Sequence, residues 1–136
     1  MIDLLQFSNI LPVFFVAIFF AILFLQSGLE KLLDFNGNLK YLNTHFSNSI
    51  FKNNIKFLLF TLTLLECLSG LLFLIGLVSI LFFNIEIVMS IMFLALVIAN
   101  ITICCLFLGQ RVAKEYAGAA NLAGYFLVAF LSFLFF

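Results

Sequence analysis

The sequence predicts an all-α integral membrane protein built as a four-helix bundle, and three observations carry that expectation. Of the 136 residues, 66% are hydrophobic and 9% are charged, a balance outside the range of water-soluble domains. Four apolar stretches, at about 9–29, 57–81, 87–108 and 117–136, are each long enough to cross about 30 Å of hydrocarbon at about 1.5 Å per residue. Within them the apolar residues run continuously instead of alternating, which excludes a membrane β-barrel. The chain reads as one domain over 1–136.

The first stretch follows a start that carries Asp3 and no Lys or Arg. A cleaved signal peptide has a basic start and a shorter apolar run, so this one reads as a retained helix. It ends in "FLQSGLEKLLDF", residues 24–35.

Residues 36–56 form the one long connection. Gly37 and its flanking Asn residues are expected to break the first helix, and Asn53 and Asn54 to lead into the second. Between them Leu39, Leu42, Phe46 and Ile50 recur at helical spacing, with Lys40, Asn43, Thr44 and Ser47 on other faces. That pattern suits either a short amphipathic helix on the membrane interface or an ordered loop capping the bundle. His45 stands there without neighbouring His or Cys, so no metal site is expected.

The second stretch carries Glu66 and Cys67, and the third Asn100, Cys104 and Cys105. No C-x-x-C pair occurs, so the cysteines are expected to be small packing residues inside the bundle. Glu86 and Asn84 mark a tight turn between these stretches. The fourth stretch contains Asn121, Tyr125 and an Ala120–Gly124 pair suited to close helix contact. The 21 Phe residues read mainly as lipid-facing filler.

Charge sets the expected orientation. All six basic residues, Lys31, Lys40, Lys52, Lys56, Arg111 and Lys114, fall between the first and second or the third and fourth stretches. The positive-inside rule makes that side cytoplasmic and puts both termini outside. A net charge of zero and the lack of a basic aromatic surface give no sign of nucleic-acid binding.

Depth counted along antiparallel helices brings several polar residues to one level. Glu66 lies about nine residues, or about 13 Å, into the second stretch. Asn100 matches it on the third, Asn121 and Tyr125 bracket it on the fourth, and Gln26 and Ser27 lie slightly shallower on the first. A carboxylate at such depth must face the bundle interior and find partners. One reading makes Glu66 a protonatable or ligand-binding group in a small pocket, with Asn100 as its hydrogen-bond partner. The other makes these residues interhelical glue. Glu66, Ser69, Gly70 and Phe73 share one helix face, and Ala117, Asn121, Tyr125 and Val128 share another. Lys31, Arg111 and Lys114 would form a basic rim at the pocket mouth, or serve only as a topology signal.

Taken together, "FLQSGLEKLLDF", "ECLSGLLFLIGL" and "RVAKEYAGAANLAGYF" resemble the DoxX-like family of small four-helix membrane proteins. Gly28 and Lys31 match its end of helix one. Glu66, Gly70 and Gly76 match its helix two, and Arg111, Lys114, Tyr116 and Gly118 its entry into helix four. The resemblance spans nearly the whole chain. It implies a bacterial inner-membrane accessory or anchoring subunit, with no catalytic activity on its own, serving a redox or quinone-linked complex. The expected partners are the bilayer and a membrane protein or second copy, and the expected ligand is a quinone or lipid. A proton-coupled transporter element using Glu66 and a ligand-free assembly factor are the alternatives.

Overall fold

The computed structural model describes residues 4–136; the reading of Asp3 falls outside them. The order is α1 (Leu4–Leu33), α2 (Phe35–His45), α3 (Ile55–Ser79), α4 (Ile85–Val112) and α5 (Tyr116–Leu131), closed by a 3₁₀ turn, Ser132–Phe135. Helices α1, α3 and α4, and α5 with its 3₁₀ turn, are long and apolar enough to cross a membrane.

These helices outrun the apolar stretches at most ends, because hydropathy marks hydrocarbon whereas a helix continues until its backbone is capped. Helix α1 passes through Pro12 without ending, as membrane helices tolerate when the freed carbonyl finds another partner. Its end is set at Asp34, not at Gly37. The Asp34 carboxylate accepts a hydrogen bond from the Gly37 amide at 3.1 Å and so caps α2. Gly37 therefore lies inside α2, a correction to its expected role as a breaker. The helical spacing of 39, 42, 46 and 50 also stops early. Phe46 is buried, but Ile50 sits exposed in the turns that follow α2. At the other end of the bundle the Asn84 side chain accepts from the Ile87 amide at 3.2 Å and starts α4, with Glu86 in its first turn.

The packing order follows the chain: α1 against α3, α3 against α4, and α4 against α5, with the 3₁₀ turn reaching back to α1. Helix α1 buries Val13, Ala17, Phe20 and Phe24, spaced four, three and four apart, which is one stripe of a 3.6-residue helix. Phe20 stacks on Phe24 at 5.8 Å and on Phe73 of α3 at 5.6 Å between ring centroids. Met92, Leu96 and Ile103 of α4 close this core. The filler reading of Phe thus holds for Phe15, Phe60 and Phe130, which are exposed, and fails for these three buried rings.

Leu64, Leu71, Ile75 and Leu94 point outward from the middle of α3 and α4. So large an apolar surface is solvated by lipid, and the protein is a multi-pass membrane protein. Cys104 and Cys105 are exposed, contrary to the expectation that they pack inside; all three cysteines are free.

Helix α5 is the peripheral one. Only Ala119 and Ala129 along it are fully buried, and the face with Ala117, Asn121 and Val128 is exposed. Small side chains on its inward side let it approach α4 closely, while lipid accepts any apolar residue left outside.

Candidate functional site

Glu66 is 1% exposed, and its hydrogen bonds and ion pair are made with α1 alone. The Ser27 hydroxyl donates to its Oε1 at 3.0 Å and the Lys31 ammonium donates to the same atom at 3.2 Å. Lys31 also donates to the Ser27 hydroxyl at 2.8 Å and to the Ser27 carbonyl at 3.4 Å. Its Nζ lies 2.9 Å from Glu66 Oε2, an ionic contact off the hydrogen-bond direction. This is the single ion pair among the described residues.

Helix geometry explains how residues at different levels meet. Side chains lean toward the N-terminus of their own helix. On α1 that direction carries Lys31 inward, away from its helix end and onto Ser27 one turn back. On the antiparallel α3 it carries Glu66 outward, toward the basic end. The two charges lean into one another.

The backbones must come close for this to happen. A Cβ added at Gly70 would stand 2.8 Å from the Leu25 backbone nitrogen, and one at Gly28 would stand 2.6 Å from Cys67 Sγ. Glycines on both helices thus seal the crossing on either side of the ion pair. Such a sealed, charge-compensated carboxylate holds α1 and α3 in one register. To bind a ligand or exchange a proton it would first have to release Lys31.

The other expected members are not gathered here. Gln26 is exposed and donates to Glu30 on its own helix at 3.3 Å. Asn100 donates to the Leu96 carbonyl of its own helix at 2.9 Å, and its buried Oδ1 has no partner. The hydrogen-bond partners of Glu66 are therefore Ser27 and Lys31 instead of Asn100. Asn121 is exposed on α5, and Tyr125 packs beside Phe19 at 6.2 Å between rings. Across from Glu66, the link between α3 and α4 is Ser69, which donates to the Ala95 carbonyl at 3.4 Å.

The residues of the basic rim make different contacts. Lys31 turns inward, Arg111 stacks its guanidinium 4.9 Å from the Tyr116 ring, and Lys114 is exposed with φ 62° in the tight connection to α5. The pairing of Lys31 with Glu66 had a signal in the sequence: a Ser four residues before a Lys, at the depth of a lone acid on the next span.

A second feature was not foreseen. A cavity of about 400 Å³ lies beneath α2, against the basic-end parts of α3 and α4. Leu42, Phe46, Leu59, Leu62, Leu65 and Leu106 supply apolar wall, and Tyr41, His45, Gln110 and Glu115 supply polar groups. Its size falls within the range of about 300–1,000 Å³ typical of small-molecule sites. Glu66 does not line it.

No protein-family model matches the chain, and neither a curated protein nor a solved structure matches it.

Proposed function

We propose that this protein is a DoxX-like accessory subunit of a bacterial inner-membrane complex, with both termini outside, α2 on the cytoplasmic interface and α5 as its docking helix. The observation that carries the reading is the outward face of α5. Ala117, Ala120, Asn121 and Gly124 are exposed together, and nothing lies within 4 Å of a Cβ added at Gly124. A primary amide about 8 Å along a spanning helix is poorly solvated by acyl chains, and small neighbours let a second helix approach to satisfy it. The partner is a transmembrane helix of another subunit or of a second copy.

A photocrosslinking residue at Gly124 is expected to yield one discrete adduct in intact membranes, and the same residue at the outward Leu64 of α3 none. Asn121→Leu should weaken the Gly124 adduct several-fold. No adduct at Gly124, or an equal spread of adducts from both positions, would remove the support for docking through α5.

The transporter alternative draws less support, because Lys31 and Ser27 close over the one acid buried within the spans. In proteoliposomes loaded with a pH-sensitive dye, the wild type and Glu66→Gln are expected to leak protons equally. Flux that Glu66→Gln abolishes would restore that alternative.

A further inference from the structure

We infer that the cavity beneath α2 holds one acyl chain of a bilayer phospholipid, with an ethanolamine head group at the basic end of the bundle. This goes beyond the docking role of α5 and depends on none of the same residues.

The cavity is graded along its depth. Leu62 and Leu65 of α3 and Leu106 of α4 line its inner part, whereas the polar groups of α2 and of the α4–α5 connection, Tyr41, His45 and Glu115, gather at the basic end. The leucine-lined inner part disfavours water, which would forgo hydrogen bonds there. In a membrane the abundant apolar molecule is lipid, already oriented with its chain inward and its head at the interface. The grading of the walls matches that orientation.

Charge selects the head group. Glu115 is the one carboxylate among the lining residues, and neither Lys nor Arg lines the cavity. An ammonium group is attracted there, whereas an anionic head group finds no cation in the cavity wall. The hydroxyl of Tyr41 and the amide of Gln110 remain to donate to phosphate or ester oxygens.

Gly109 offers a way to close the site without disturbing the fold. It lines the cavity, and a Cβ added there would meet only Phe46 Cζ, at 3.8 Å. Leucine in its place would carry its outer carbons toward the cavity.

The test uses the full chain in nanodiscs of equal phosphatidylethanolamine and phosphatidylglycerol, released and weighed by native mass spectrometry. The wild type is expected to retain one phosphatidylethanolamine per chain, about tenfold over phosphatidylglycerol. Gly109→Leu should lose it while keeping helical circular dichroism and a single gel-filtration peak, and Leu64→Phe, on the outward face of α3 and outside the cavity, should retain it. Glu115→Gln should keep the bound lipid and level the two head groups. If Gly109→Leu does not fold, Leu65→Phe in the wall makes the same test. A wild type that retains no lipid, or a folded cavity-filling variant that retains as much as the wild type, overturns the site. Equal or greater retention of phosphatidylglycerol by the wild type overturns the head-group assignment.

Discussion

Lys31→Met is expected to destabilise the bundle by about 3–5 kcal/mol, the cost of stripping one member from a buried ion pair. Glu66→Gln should cost only about 1–2 kcal/mol, the scale of one weakened hydrogen-bond set. The asymmetry follows from where each partner can go. The Lys31 side chain is 18% exposed near the end of α1, so an ammonium freed from Glu66 turns back to the interface. Glu66 is 1% exposed and enclosed by the crossing of α1 and α3, so a carboxylate deprived of Lys31 has nowhere to be solvated. In Lys31→Met/Glu66→Gln the stranded charge is gone, and most of the loss should be recovered. Reversible unfolding in mixed micelles, followed by circular dichroism for the four members of the cycle, measures this directly. Equal single-variant losses, or a double variant as unstable as the sum of both, would show that the pair does not couple the helices.

Glycine at the same crossing should matter as much as charge. Gly70→Ala places a methyl 2.8 Å from the Leu25 backbone nitrogen, and backbone cannot rotate aside. The helices must part, with an expected loss of about 2–3 kcal/mol by overpacking alone and further loss as Ser27 and Lys31 draw away from Glu66. Gly76→Ala meets Met92 Cγ at 2.7 Å, but that flexible side chain can move, so the loss should stay below about 1.5 kcal/mol. Gly124→Ala meets nothing and should be neutral, or stabilising by up to about 1 kcal/mol through helix propensity. The same unfolding assay ranks the three. A Gly70→Ala loss no larger than that of Gly76→Ala would mean that the α1–α3 contact is looser than its geometry indicates.

The inward face of α3 is legible in the sequence. Glu66, Ser69, Gly70 and Phe73 recur at helical spacing, and all four are buried. A lone acid within an apolar run can only face its own bundle, so burial follows from the chemistry of one residue and the period of the helix. The matching face of α5 is not legible. Asn121 looks like a core polar group by the same logic, but α5 packs through Ala119 and Ala129 and leaves the amide outside. In lipid, apolar residues carry no inside-or-outside preference, and the small residues on both sides of α5 fit a neighbour equally well.

The cavity shows the same limit from another direction. Its walls come from α2, α3, α4 and the α4–α5 connection. Each wall residue, read alone, is an ordinary apolar or interfacial position. The break before α2 lies three residues ahead of the glycine that sequence pattern favours, since Asp34 and Gly37 look alike as helix ends until the carboxylate is seen capping the amide.

What the sequence determined by itself is therefore the all-α class, the four spans, the shared end of the basic residues and the burial of Glu66. These follow from hydrophobic length, helix period and the cost of charge in hydrocarbon, which are local properties of the chain. Tertiary structure alone decided that Glu66 meets Ser27 and Lys31 instead of Asn100, that α5 turns Asn121 outward, and that α2 roofs a cavity. Those outcomes depend on how closely two backbones approach and in which direction each side chain leans, and the distance between helices is not written in either helix alone.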